Sequence, residues 1–259
     1  MAPSTPHLGR VRCSSDLLGH FADAGLTPGN IVHARTRRAR RGTPADGGGV
    51  ATGIDRRAAL GALLGLMGLT AMPARSATTA EVAEPIILFN DTLVAIMKAG
   101  KGTPFPQRYD MLAPVLQRAF DLNTILQACV GPRWSALAAD DQTALETAFA
   151  AFTVATWVAN FDEYNDQRFN VSPSLRAVGS DQIVEVVIQR MSGDSRKIDY
   201  VMRQEGSWRV VDVLLDGTIS RVAVQRSDFR SLISGDNVSR LIASLRQKVS
   251  DLSGGTMHT

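Results

Sequence analysis

From Glu81 to Tyr164 apolar positions recur every three or four residues, the period that covers one face of an α-helix. In EVAEPIILFNDTLVAIMKAGKG, Ile86, Phe89, Leu93, Ile96 and Met97 share one side. Pro85 sits near the first turn, and Gly100 offers a stop. PFPQRYDMLAPVLQRAFD extends the pattern through Tyr109, Leu112, Leu116 and Phe120, with Pro114 predicting a kink or a new start. DLNTILQACVG predicts a short helix stopped by Gly131–Pro132. A longer helix, beginning near Asp140, carries Leu145, Phe149, Phe152, Trp157, Phe161 and Tyr164. Its apolar face is wide enough to predict burial on more than one side.

After Asn165 the period changes to two. RFNVSPSLRAVG, DQIVEVVIQRM, RKIDYVMRQ and SWRVVDVLL predict four strands, with hairpin turns at Gly193–Asp194 and Glu205–Gly206. Val184, Val186 and Ile188 share a face, as do Ile198, Tyr200 and Met202. Helix returns in RSDFRSLISG and in the stripe Val238, Leu241, Ile242, Leu245, Val249, Leu252. Helices, an antiparallel meander and helices again predict one α+β domain over residues 81–259.

Residues 1–49 follow neither period and are rich in Gly, Pro and Arg, so disorder is expected there. Next, Arg56–Arg57 precede an apolar run from Ala58 to Met72, then Pro73 and small residues. That order is the layout of an export signal, assigned to residues 50–80. The run falls short of the ~20 residues that span a bilayer. Paired arginines suit a twin-arginine route and the general route alike. Export signals rarely start near residue 55, so translation is expected to begin later, with Val50 as the candidate, valine being a residue that a GTG start would encode. Cleavage is expected between Ala74 and Ala80, for instance after Ser76.

Charge narrows the function classes. The chain has a formal net charge of +3, yet residues 1–75 hold 10 Arg, no Lys and 4 acids. The remainder holds 18 Lys+Arg against 21 Asp+Glu, a net of −3. A nucleic-acid binder needs its basic face on the folded part, so that class is set aside. The histidines, His7, His20, His33 and His258, all lie outside the predicted helices and strands. The body therefore lacks a histidine for a catalytic triad, a Cys–His pair or a zinc site. Cys13 and Cys129 fall on opposite sides of the expected cleavage point, which disfavours an intrachain disulfide. Cys129, in ILQACVG, reads as a buried inert thiol, the sharper alternative being a nucleophile. Gly193 and Gly206 belong to hairpins rather than phosphate loops, and no metal, nucleotide or other cofactor motif is present.

The remaining candidate chemistry is acidic. Asp140–Asp141 reads as a helix cap that favours the helix dipole, and Asp162–Glu163 as a solvated helix end. Sequence neighbours on a helix do not converge, so neither pair suits an acid/base dyad. Asp212 interrupts an apolar strand, and a buried Asp needs partners. Arg209, Arg221 or backbone donors in the following turn could serve. The favoured role is a carboxylate that pins the crossing from strand to helix, with Asp216–Gly217 as the turn. The alternative is a general base with Tyr164 or Tyr200 as donor.

Several segments, taken in order, resemble the MlaC-like (toluene-tolerance) family of periplasmic lipid-binding proteins, as does its hopanoid-associated HpnM branch. ACVGPRW matches the family's Gly–Arg–aromatic segment, with Pro132 inserted before Arg133. ALAADDQTALETAF matches its acid–Gln helix start, and Tyr164 the end of its aromatic-rich helix. WRVVDV, DGTIS and QRSDF match its C-terminal strand, turn and aromatic segment, the turn being one residue longer here. The resemblance covers about Glu81 to Leu252. It implies a helical half packed on a strongly curved, four-stranded antiparallel sheet, closed by C-terminal helices around an apolar cavity. It also implies a periplasmic shuttle, without enzymatic activity, for phospholipid or a hopanoid-type lipid. Its partners would be an inner-membrane ABC transporter complex with a membrane-anchored substrate-binding subunit, and an outer-membrane lipoprotein complex. On this reading Leu112, Leu116, Leu126, Phe149, Phe152, Trp157, Val186, Ile188, Tyr200, Val211 and Val213 line the lipid pocket, while Asp212, Gly217 and Arg133 are structural. The competing classes are a small α+β hydrolase or isomerase using Asp212 with a tyrosine, and an interaction subunit with an exposed apolar patch but no cavity.

Overall fold

The structure, a computed structural model, describes residues 78–191 and 193–258. The segment expected to be disordered (1–49) and residues 50–77 of the expected export signal lie outside the described residues.

Helix α1 (Thr79–Ala99) begins at a capping box. The Thr78 hydroxyl accepts from the Glu81 amide at 3.3 Å, and the Glu81 carboxylate accepts from the Thr78 amide at 2.8 Å. This start places Pro85 inside the helix rather than in its first turn. Gly100, at φ 63°, ends α1 by donating to the Ile96 carbonyl. Helix α2 (Phe105–Ala119) runs through Pro114 without a new start. Helix α3 (Leu122–Val130) is capped by Asp121 and gives way at Gly131 to a 3-10 turn over Gly131–Ala136. Helix α4 (Ala139–Asn160) is capped by Ala138, not by an Asp; Asp140 and Asp141 sit in its first turn, where they still complement the dipole. It stops at Asn160, so Tyr164 lies beyond it. As the wide apolar face predicts, nearly every residue from Ala151 to Val158 is buried.

The sheet has six strands rather than four. β1 (Arg168–Val171) and β2 (Arg176–Val178) both pair with β3 (Asp181–Gln189), and the break between them falls at Ser172–Leu175. Pro173 cannot donate to a ladder, so the segment predicted as one strand becomes two short pieces. β4 (Ser195–Glu205) and β5 (Ser207–Leu215) continue the meander through the expected hairpins. A two-residue edge strand, β6 (Ile219–Ser220), pairs with the end of β5. All pairings between these strands are antiparallel, and the sheet does not close on itself.

Helix α5 (Arg221–Arg230) leaves β6 directly, capped by Ser220, and packs on β5 and α3. Helix α6 (Ser239–Leu252) packs mainly on α4 rather than closing the sheet. Of the predicted stripe, Val238, Leu241, Ile242, Leu245 and Val249 are buried, and Leu252 at its end is half-buried. Between helices and sheet, Phe89 packs edge-on against Phe120, Trp157 and Tyr200, with ring centroids 5.1, 4.9 and 6.4 Å away. Such pairs add about 0.5–1.5 kcal/mol each beyond their buried area. Among the described residues no helix is long and apolar enough to cross a membrane.

Candidate functional site

An apolar cavity of about 60 Å³ lies where α4, α3 and α5 meet the ends of β4 and β5. Its long wall is α4. Phe149, Phe152, Thr153, Thr156 and Trp157 follow the spacing i, i+3, i+4, i+7, i+8, so one helical face projects into the space. Phe120, Leu122 and Ile125 close it from the α2–α3 junction, Ile198, Val213 and Leu215 from the sheet, and Val222 and Gln225 from α5.

Three of the polar side chains on this surface, Thr153, Thr156 and Asp212, are engaged in hydrogen bonds. Thr153 and Thr156 donate their hydroxyls to the carbonyls of Phe149 and Phe152, at 2.8 and 2.7 Å. Asp212 accepts from the Ser220 hydroxyl at 2.5 Å and from the amides of Val213 and Val222 at 2.7 and 3.1 Å. Of the partners anticipated for this carboxylate, a backbone donor after the turn, the Val222 amide, is one it uses. Arg209 turns away, pairing with Asp121 at 3.3 Å. Asp212 thus ties β5 to the first turn of α5, which is the pinning geometry expected of it. Gly217, at φ 74°, lets the intervening turn close: a Cβ there would come within 2.9 Å of Lys197 Cε. The lining is left largely hydrocarbon, with Arg221 the charged exception beside Asp212.

The eleven residues expected to line a pocket divide into three groups. Phe149, Phe152, Trp157 and Val213 face the cavity. Leu112, Leu116, Leu126, Val186, Ile188 and Tyr200 are buried in the core but do not border the cavity. Periodicity identifies the buried face of an element, not the part of that face left unfilled. Val211 belongs to neither group, being buried but outside the core cluster. A β-bulge is the cause: Val201 pairs with Asp212 and Met202 with Val210, leaving Val211 as the extra residue. The inward phase of β5 therefore passes from Val210 to Val213, and strict alternation fails. Thr153 and Thr156 were missed because hydroxyl residues were not counted in the apolar stripe, although their spacing was visible.

Neither tyrosine proposed as a partner joins Asp212. The Tyr200 hydroxyl is buried without a hydrogen-bond partner and outside the cavity lining, and burial pushes its pKa far up. Tyr164 sits in a separate recess, where Lys98 Nζ lies 5.0 Å from its ring centroid. In that recess Asp162 pairs with Lys101 at 3.2 Å, so it is not simply solvated. Cys129 is buried, and burial, reinforced by Asp212, pushes its thiol up to about 12. At neutral pH it is protonated and a poor nucleophile. A further acid escaped the sequence reading. Asp199 is fully buried on the sheet, and Arg176 of β2 donates to it at 2.6 Å. Among the described residues no cluster of acids, His or Cys could hold a metal ion.

Fold and site together define an α+β protein with a largely apolar cavity between its helical layer and its antiparallel sheet. A family model described as MlaC protein matches residues 89–247, more than half of the chain. The chain belongs to the MlaC family. It is also similar to the solved structure of a phospholipid-binding protein from Ralstonia solanacearum in complex with a phospholipid. The two share 18% identity with a TM-score of 0.58, over 67% of this chain and 99% of the other. No curated protein matches the chain.

Proposed function

We propose that this chain is a non-enzymatic lipid carrier whose cavity takes an acyl chain of a phospholipid. The observation that carries the reading is the apolar cavity under α4, set in a fold shared with a protein solved with phospholipid bound. A chain of sixteen carbons exposed to water costs on the order of 12 kcal/mol at ~0.8 kcal/mol per CH₂, so a lipid crossing an aqueous gap needs an enclosing site. The finer reading places the carrier in the periplasm, shuttling phospholipid or a hopanoid-type lipid between the outer membrane and an inner-membrane ABC transporter.

The cavity's size adds a requirement. An apolar cavity of ~150 Å³ accommodates one benzene, whereas this one measures about 60 Å³. Loading an acyl chain therefore requires the α4 wall to move away from β5, the α5 junction being held by Asp212. Separating them costs little polar chemistry, because the hydroxyls on the α4 wall bond within their own helix.

The test is native mass spectrometry of protein purified from the periplasm without detergent. Near-stoichiometric co-purifying lipid is the expected result, and its mass names the cargo. Protein that is empty, and stays empty after incubation with phospholipid vesicles, overturns the reading.

A further inference from the structure

A second concavity, a groove of about 260 Å³, opens between the 3-10 turn and α5, lined by Cys129, Val130, Pro132, Arg133, Arg226 and Arg230. Arg226 and Arg230 stand one helical turn apart, so they project from the same face of α5. Arg133 approaches from the 3-10 turn. Arg226 packs over Gly131, where an added Cβ would lie 3.3 Å from its Nη2. Ion pairs elsewhere among the described residues engage Lys101, Arg176, Lys197, Arg203 and Arg209, and none of these pairs includes the three arginines of the groove. Three arginines therefore line one groove whose lining holds no carboxylate. Like charges one turn apart destabilise a helix, so the arrangement favours an anion, and the planar guanidinium fork matches phosphate oxygens bidentately.

The groove adjoins the apolar cavity. Cys129 lines the groove, and its Sγ lies 3.8 Å from the Val222 carbonyl and 3.6 Å from Gln225 Oε1, both residues of the cavity wall. One layer of side chains divides a hydrocarbon space from a cationic one.

We propose that Arg133, Arg226 and Arg230 form a phosphate site that holds the headgroup of the lipid whose chain enters the cavity. The proposal rests on the carrier reading and deepens it: the preferred cargo bears a phosphate, and neutral lipids are discriminated against.

The test offers the full chain phosphatidylcholine vesicles doped with either dipalmitoyl phosphatidylglycerol or dipalmitoylglycerol, which share chains and differ in phosphate. Native mass spectrometry reads the dopant retained. Wild type is expected to prefer the phosphatidylglycerol by about tenfold or more, and Arg226→Gln/Arg230→Gln to reduce that preference to roughly threefold or less. Arg240→Gln, an exposed arginine on α6, leaves the preference unchanged. A double variant that keeps the wild-type preference overturns the proposal and leaves the cluster to an acidic protein surface. Thermal unfolding of each variant separates loss of the site from loss of the fold. If wild type retains no lipid of either kind, the carrier reading fails, and inorganic phosphate then decides the anion site. Shifts of arginine Nε–H resonances in wild type but not in the double variant support the site, with free phosphate as its source. No shift in wild type overturns it.

Discussion

Replacing Asp212 by alanine removes a carboxylate that accepts three hydrogen bonds, two of which cross from β5 to the start of α5. A hydrogen bond to a charged group contributes a net ~1.5–3 kcal/mol, and a donor left without a partner costs a similar amount. Asp212 is half-buried, so the lower figure applies to the Ser220 hydroxyl and the Val222 amide. The expected loss is about 3 kcal/mol. For a domain of this size that is a fall of roughly 6–12 °C in Tm, at about 2–4 °C per kcal/mol. Asp212→Asn keeps one acceptor oxygen and loses the charge, so about 1 kcal/mol is expected. Ser220→Ala removes both the hydroxyl donor and the α5 cap, since the Ala223 amide donates to Ser220 Oγ at 3.0 Å, for a loss of about 1 kcal/mol. Because Asp212 and Ser220 act through one bond, the double variant Asp212→Ala/Ser220→Ala should lose less than the sum of the singles, by roughly 1 kcal/mol. Urea unfolding followed by circular dichroism measures the four variants against wild type. An Asp212→Ala variant within about 0.5 kcal/mol of wild type refutes the pinning argument. So would a variant of full stability whose lipid content alone changes, because Asp212 would then act on the ligand rather than on the junction.

Three other outcomes follow from the same geometry. Thr153→Trp directs an indole into the cavity from the α4 wall; lipid recovered per folded molecule should fall at least tenfold, with overpacking costing about 1–3 kcal/mol, and undiminished lipid content would place the chain elsewhere. Cys129, its thiol pushed up to about 12 by burial, has a thiolate fraction on the order of 10⁻⁴ at pH 8; a disulfide reagent should label it promptly only in denaturant, and rapid labelling of folded protein would contradict the packing. The Asp181 carboxylate is held below its ordinary value by two hydrogen bonds from Arg203, at 2.9 and 2.8 Å. Its folded pKa is depressed, so its contribution is present above the unfolded value of ~3.9 and is lost as pH falls through the folded value. This partly exposed pair contributes under about 1 kcal/mol; Asp181→Asn should flatten the acid limb of stability by that amount, and an unchanged limb would show the pair contributes nothing.

How far the sequence reached depends on the kind of periodicity. Ile86, Phe89, Leu93, Ile96 and Met97 on α1, and Val238 through Val249 on α6, were legible because each helix buries one face, and a 3.6-residue repeat records it directly. The β3–β4 and β4–β5 hairpins were legible because Gly193 and Gly206, both at positive φ, supply the turn chemistry that sets register. Asp212 was legible as a junction residue because an acid in an apolar strand must find donors nearby, and the next turn is where a chain leaving a sheet offers free amides. The ordered segments from ACVGPRW to QRSDF carried the family as well.

Contacts between segments far apart in sequence leave no local trace. Val211 left the inward face because the extra residue of a bulge shifted the phase of β5, and strict alternation contains no term for it. Asp199 in the sheet draws its close hydrogen bond from Arg176 of β2, a strand that the pattern merges with β1, and a longer ion pair from Lys197 at 3.7 Å. Arg133, Arg226 and Arg230 carry no shared motif and meet only because α3 and α5 pack side by side. The cavity itself is the clearest case. Phe149 and Leu145 obey the same pattern and are equally buried, yet only Phe149 borders the open space. Local sequence determines which faces turn away from water, because the hydrophobic effect acts on each element's own surface. Only the tertiary structure decides whether opposing faces fill the space between them, since that depends on the shapes of side chains drawn from five separate elements.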